Sequence, residues 1–292
     1  MTAGNIIRID KLLNKNTVGI KEAVTFYDAG NYLYLASGHV LICTRKCAYK
    51  CFGIALDTAF IIIPTVKTYN VGIAKAFEDV TSPIYDAIVV APQCPVGSQW
   101  VLTPWEKGNY IVDNVPESRE LECVCGILDE CRDFYNIDED RVYVTGLSMG
   151  GFGTWDMLAR HGARFAAGLP ICGGGDASRA KSLKRIPIWT FHGSDDGAVP
   201  VAGTRAMFSS IKKEGGEEIG YTEFDGFGHN VWDAVYTDRQ IIDWLFAQSR
   251  EKRRKKAELR AKITKAAAVA GGGALSLALL ILNISKSKKK KK

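Results

Sequence analysis

Short apolar runs alternate along this chain with longer stretches in which apolar residues recur every three or four positions. Residues 31–36 (NYLYLA) alternate polar and apolar and predict a strand, closed by the turn pair Ser37-Gly38. Residues 59–64 (AFIIIP) and 87–92 (AIVVAP) are continuous apolar runs, as in strands buried on both faces, and each stops at a proline. Residues 1–30 carry no usable pattern, and 40–49 mix apolar and basic positions without a period. Asn114-Val-Pro-Glu117 reads as a helix start, with Asn114 as cap and Pro116 in the first turn. Leu121, Val124, Leu128 and Phe134 then keep helical spacing to about Tyr135. Residues 141–145 (RVYVT) are β-branched or aromatic at alternate places and predict a strand, followed by a helical pattern over 155–161. Apolar runs at 165–172 and 186–191 predict two more strands, 220–224 another, and 203–213 and 231–248 predict helices. Strands of the buried type alternating with helices predict an α/β fold, a mostly parallel central sheet with helices on both faces. No internal repeat interrupts it.

Charge divides the chain in two. From Arg250 onward there are 15 Lys/Arg against two acidic residues, so the preceding 249 residues, with 23 basic and 30 acidic, are net −7. An acidic body argues against nucleic acid as its partner. The expected organisation is a catalytic-type domain over 1–249, a basic linker helix over 250–265, a candidate transmembrane anchor over 266–284 and a lysine-rich terminus over 285–292. The 19 residues of 266–284 carry no charge; as a helix they would span roughly 28 Å, about one hydrocarbon thickness. Basic residues flank this stretch, nine before it and six after, and weakly favour a body on the cytoplasmic side. The N-terminal residues lack the apolar core of a secretory signal, so most of the eight cysteines are expected to be buried thiols rather than disulfides. Cys43, Cys47 and Cys51 lie at four-residue intervals without the spacing of a zinc knuckle, and no metal or other cofactor is expected.

The candidate chemistry centres on Gly146-Leu-Ser148-Met149-Gly150-Gly151, set between the 141–145 strand and the following helix. Strand, G-x-S-x-G and helix in that order predict a sharp turn that exposes the serine Oγ. Glycine on either side leaves the room this needs. The Met149 N–H, at the helix start, is then placed to donate to an oxyanion. A serine nucleophile needs a base, and the base an orienting acid. Of the four histidines, His39 and His161 lie too early in the chain or on the elbow helix. His192 ends a strand but is followed by the acidic pair Asp195-Asp196, which puts an acid on that loop. His229, after the next strand, is the last histidine and the candidate base.

The segments GLSMGGFGTWDM, FAAGLPICGGGD, IPIWTFHGSDDGAVP and FGHNVWDAVY, in this order, resemble the carboxylesterase branch of the α/β-hydrolases. That branch includes dienelactone-hydrolase-like, prolyl-oligopeptidase-like and feruloyl-esterase-like members. The resemblance covers about residues 87–248, with 1–85 matching poorly. It implies an α/β-hydrolase fold and a Ser148–Asp196–His229 triad. In the family's H-G-x-x-D-x-x-V-P motif the acid falls on Asp196 rather than Asp195, and G-H-x-x-W supplies His229. It also implies a small-molecule or saccharide ester as substrate, with Gln93, Trp100 and Trp105 beside the active site. One departure stands out: residues 43–70 lack the H-G-x-G turn that supplies the family's second oxyanion donor. Two functions fit these features, a serine esterase and a catalytically impaired, membrane-tethered binding protein.

Overall fold

The computed structural model describes residues 81–269 except 91, 93, 95, 96, 135 and 136, together with the backbones of four strands before them. Two compact units divide the chain, Met1–Ser249 and Arg250–Lys292. Among the described residues, nine strands of the first unit form one sheet. They are β1 (Ala23–Phe26), β2 (Tyr32–Leu35), β3 (Val40–Cys43), β4 (Thr58–Ile62), β5 (Ile88–Val90), β6 (Ile137–Leu147), β7 (Ala167–Ile171), β8 (Ile188–Gly193) and β9 (Ile219–Phe224). Their order is β1-β2-β3-β5-β4-β6-β7-β8-β9. β1 to β3 pair antiparallel, and every pairing from β3 to β9 is parallel. The helices are α1 (Arg119–Phe134), α2 (Met149–His161), α3 (Ala180–Leu183), α4 (Val201–Lys213), α5 (Trp232–Thr237) and α6 (Arg239–Phe246).

Strand β6 shows how the sequence sorts into layers. Residues 142–147 are all buried, as a central parallel strand requires. Successive side chains still point to opposite faces. Val142 and Val144 join one core with Leu121, Val124 and Leu128 of α1 and Met157 and Leu158 of α2. Tyr143 and Leu147 join a second core with Val235 and Tyr236 of α5 and Ile241, Ile242 and Leu245 of α6. Helices therefore cover both faces, as the buried-type strands predict. Polar groups on this strand are matched: Thr145 Oγ1 donates to the Leu169 carbonyl (2.8 Å) and lies 2.8 Å from Tyr236 Oη. Tyr143 Oη reaches the carbonyls of Phe246 (3.2 Å) and Gln248 (2.9 Å), pinning the end of α6.

The boundaries differ from the pattern in four places. The helix expected from Asn114 begins at Arg119, and 112–114 form a single 3-10 turn. Its cap is Ser118, whose Oγ accepts from Leu121 N–H (3.1 Å), so the helix starts where a hydroxyl meets the orphan donor. The single helix expected over 231–248 is split at Asp238, whose carboxylate accepts from Gln240 N–H (2.8 Å) and caps α6. β1 and β3 fall in stretches without a usable pattern, residues 1–30 and 40–49. Of the cysteines whose side chains are described, Cys94, Cys125, Cys131 and Cys172 are thiols, in line with the expectation for most of them, and Cys123 is disulfide-bonded. Burial pushes the thiol of Cys94 up to about 12 and that of Cys125 up to about 11, so these act as packing groups.

The second unit contains helix α7 (Arg250–Val269), with a Glu251–Lys255 ion pair of 2.6 Å on its exposed surface. No helix among the described residues is long and apolar enough to cross a membrane. Residues 270–284 of the candidate anchor lie outside the described residues.

A buried polar knot holds the 100–118 segment against α2. Asp156, 1% exposed, accepts from Tyr110 Oη (2.8 Å) and Arg160 Nε (2.6 Å). Arg160 also donates to the carbonyls of Val112 (3.2 Å) and Val115 (2.6 Å). Removing one partner of such a pair strands the other, so Asp156→Ala is expected to cost about 3 kcal/mol. Tyr110→Phe, which removes one hydrogen bond, is expected to cost about 1 kcal/mol. Urea unfolding of the two variants checks the ranking; equal losses would contradict it.

Candidate active site

Strand β6 ends at Leu147 and α2 begins at Met149, leaving one residue to turn the chain. That residue, Ser148, takes φ 54° and ψ −120°, a conformation L-residues rarely adopt. Three hydrogen bonds hold it there: Ser148 N–H donates to the Ile171 carbonyl (2.9 Å), and its own carbonyl accepts from Gly151 (2.8 Å) and Phe152 (3.1 Å). The turn also depends on close backbone contact. A Cβ on Gly151 would sit 2.4 Å from Ile171 O, and one on Gly173 would sit 2.4 Å from Gly151 C. The second glycine of the Gly150-Gly151 pair is thus a requirement of packing. Helix starts leave their first N–H groups without intrahelical acceptors, so Met149 N–H is free of the helix ladder.

The loops after the next strands converge on this serine. His229, between β9 and α5, places Nε2 2.8 Å from Ser148 Oγ and Nδ1 2.7 Å from Asp196 Oδ2. Asp196, after β8, has a side chain with no exposed surface. Its Oδ1 accepts from the N–H groups of Ala198 (2.8 Å) and Val199 (2.9 Å). Burial alone would raise its pKa; the bonds from His229 and the two amides outweigh this and hold the carboxyl below its ordinary value. The neighbouring Asp195 is exposed and accepts from Ser194 Oγ (2.8 Å), away from His229. The edge-on Trp232 ring, with centroids 5.5 Å apart, backs the His229 imidazole.

Behind the site lies a layer that sequence reasoning did not assign. His192, at the end of β8, is fully buried; its Nδ1 lies 2.8 Å from Thr204 Oγ1, and its Nε2 lies 3.1 Å from Val199 O and 3.0 Å from Asp196 Oδ2. In the sequence this residue reads as a strand-end histidine; the signals of a further role are its spacing of four from Asp196 and its place as the first residue of the H-G-x-x-D-x-x-V-P motif. Cys172, with φ 47°, donates from Sγ to the His229 carbonyl (3.1 Å). Burial, and then the charge of Asp196, push its thiol up to about 12. Ligand atoms of Cys172, His192 and Asp196 fall within 4.8 Å of one another, as do those of Glu117, Cys125 and His161. In the first group each side chain already has a protein partner, and in the second His161 and Glu117 are bonded to each other at 2.6 Å.

The remaining expected site residues scatter. Trp100 is 2% exposed and packs in the core with Val101, Tyr110 and Val112, so it presents no open ring to a ligand. Its placement is fixed by Ser118 Oγ, which donates to the Trp100 carbonyl (2.6 Å). Trp105 is 41% exposed, on a 3-10 turn closed by Gly108. Gln93 lies outside the described residues, as do the side chains of residues 43–70, where the H-G-x-G turn is missing from the sequence.

No family model matches the chain. A solved thermostable esterase superposes with a TM-score of 0.58 at 31% identity, over 78% of this chain and 63% of its own. The bifunctional acetylxylan esterase/xylanase XynS20E of Neocallimastix patriciarum is 31% identical over 83 residues, 28% of this chain and 12% of the relative. The chain thus spans less than two thirds of the length of either.

Because the folded state holds Asp196 below its ordinary value, the carboxylate contributes stability in full above pH about 4, and that stability is lost as pH falls through the folded value. The unfolding free energy of wild type relative to Asp196→Asn is therefore expected to shrink below pH about 4. Urea titrations between neutral and acidic pH check this; a gap that widened on acidification would contradict it.

Proposed function

We propose that this chain, which has the α/β-hydrolase fold, is a serine esterase that cleaves carboxylic esters through an acyl-enzyme. The observation that carries this reading is the hydrogen-bond chain from Ser148 Oγ through His229 to Asp196, at 2.8 and 2.7 Å, on a serine held at positive φ. Ser148 Oγ attacks the ester carbonyl while its proton passes to His229 Nε2. The carbonyl oxygen takes the negative charge against Met149 N–H. Collapse of this intermediate breaks the bond to the alkoxy oxygen, which leaves as an alcohol with the proton from His229. Water, deprotonated by His229, then attacks the acyl-serine, and the acid and free Ser148 result. Asp196 holds the imidazole in the tautomer that accepts at Nε2 and balances the imidazolium charge.

For the substrate we propose a small-molecule or saccharide ester. The acetylxylan esterase in the relative's name favours an acetylated sugar, and the exposed ring of Trp105 is suited to stacking on one. A second reading, an impaired hydrolase fold that binds without turnover, is favoured by the absence of H-G-x-G from residues 43–70. Loss of one oxyanion donor costs on the order of 100- to 1,000-fold in rate. A fluorophosphonate probe separates the two. Labelling of wild type and not of Ser148→Ala is expected, with turnover of p-nitrophenyl acetate and acetylated xylan. Folded wild-type protein that takes no label sinks the esterase reading. Asp196→Asn is expected to lower kcat by about 10,000-fold and Asp195→Asn by less than about threefold; the reverse order would move the acid to Asp195.

We also propose that the 266–284 stretch anchors the chain to a membrane, with the catalytic unit on the cytoplasmic side. Its apolar residues and flanking lysines support binding to an anionic surface. Full-length protein is expected to float with anionic liposomes and a 1–248 truncation to stay behind. A full-length chain that does not float rules the anchor out.

A further inference from the structure

The acid of the site is held by more than the triad needs. Asp196 Oδ2 lies 2.7 Å from His229 Nδ1 and 3.0 Å from His192 Nε2, so one carboxylate oxygen faces two imidazoles. The two differ in access: the His229 side chain is 24% exposed, that of His192 not at all. His192 also closes a ring through Val199, whose carbonyl faces its Nε2 and whose N–H binds Asp196 Oδ1. Both groups facing Nε2, a peptide carbonyl and a carboxylate, only accept. The Nε2 atom must therefore carry a proton.

The other ring nitrogen meets Thr204. Thr204 Oγ1 lies 2.8 Å from both His192 Nδ1 and the Gly173 carbonyl, and has one proton for the two. Burial holds the imidazole below its ordinary pKa, which favours the neutral ring. In that state Nδ1 is bare and faces the Thr204 hydroxyl, which is also bonded to the Gly173 carbonyl. The other ionisable groups around His192 are His229, Cys172 on the loop after β7, and Glu223, its register partner on β9. Glu223 is already paired with Arg205 of α4. None of these takes the Nε2 proton away from Asp196 and Val199.

We propose that His192 is a positioning residue for the triad: its Nε2–H ties Asp196 Oδ2 and the Val199 carbonyl into one buried frame, while the Thr204 hydroxyl meets the other ring nitrogen. This rests on the esterase reading above. His229 gains and loses a proton in each half-reaction, while the His192 frame stays dry and keeps the acid aimed. It also shares the charge of Oδ2, so the pull of Asp196 on a proton at His229 is moderated.

Three variants test this: His192→Phe removes the donor at similar volume, His192→Gln keeps an N–H near the Nε2 position, and Thr204→Val removes the Nδ1 partner together with the bond to the Gly173 carbonyl. With p-nitrophenyl acetate, His192→Phe is expected to lose about 10- to 100-fold in kcat with KM within about twofold. The acid limb of its kcat/KM profile should move to higher pH, because Asp196 then serves His229 alone. His192→Gln should retain most of kcat and the original limb, and Thr204→Val should lose less than His192→Phe. Phe and Gln variants with the same kcat and an unmoved limb would overturn the proposal, since packing alone would then explain the residue. Imidazole 15N spectra of the full chain read the same claim without turnover. His192 is expected to show a protonated Nε2 and a bare Nδ1 at neutral pH, and a proton on Nδ1 alone would overturn the assignment. If wild type hydrolyses no ester, the function reading fails while these spectra still decide the His192 frame.

Discussion

The backbone of a single residue governs the site. Ser148 sits at φ 54° between a buried strand and a buried helix, and it can stay there only because its neighbours over-determine it. The Ile171 carbonyl takes its N–H, and Gly151 and Gly173 let two backbones meet where any side chain would collide. The cost of such a conformation is of order 1–3 kcal/mol, small against the two cores on either face of β6. The consequence is geometric: the serine sits at the C-terminal end of β6, directly before the first amides of α2. Loops after β8 and β9 reach that end, and they carry Asp196 and His229.

The electrostatics follow from where those loops end. Asp196 is stripped of water yet stays ionised because two amides and His229 donate to it, and bonded donors outweigh burial there. The neighbouring carboxylate at Asp195 lacks this shell and faces solvent. Two chemically identical side chains one residue apart are thus separated by peptide geometry alone. Glycines again make room: a Cβ on Gly193 would sit 2.1 Å from the Gly228 carbonyl, so the His192 and His229 segments touch backbone to backbone.

Much of this is legible in the sequence, for definite reasons. The elbow can be read because G-x-S-x-G has meaning only between a strand and a helix, and both flanks are strongly patterned. Ser148, the Asp195-Asp196 pair and His229 can be listed because each follows a strand, and the resemblance to the carboxylesterases selects Asp196 from the pair; their meeting is a property of the parallel sheet, which brings strand ends together. What could not be read depends on contacts distant in the chain. Ser118 caps α1 in place of Asn114 because its hydroxyl also serves the Trp100 carbonyl, eighteen residues back. Trp100 reads as a loop aromatic and is a core residue. His192 reads as a strand-end histidine, and its partner Thr204 belongs to a helix whose apolar face is all the pattern reveals. The disulfide at Cys123 has no signature in its own surroundings.

The central claim is that this turn makes Ser148 a nucleophile. Rapid mixing with p-nitrophenyl acetate, followed by an acid quench and intact-mass analysis with peptide mapping, tests it most directly. One acetyl group per chain is expected, located on Ser148, and abolished by His229→Ala. An acetyl group found on another residue, or no adduct on a folded chain that still releases p-nitrophenol, would contradict the account.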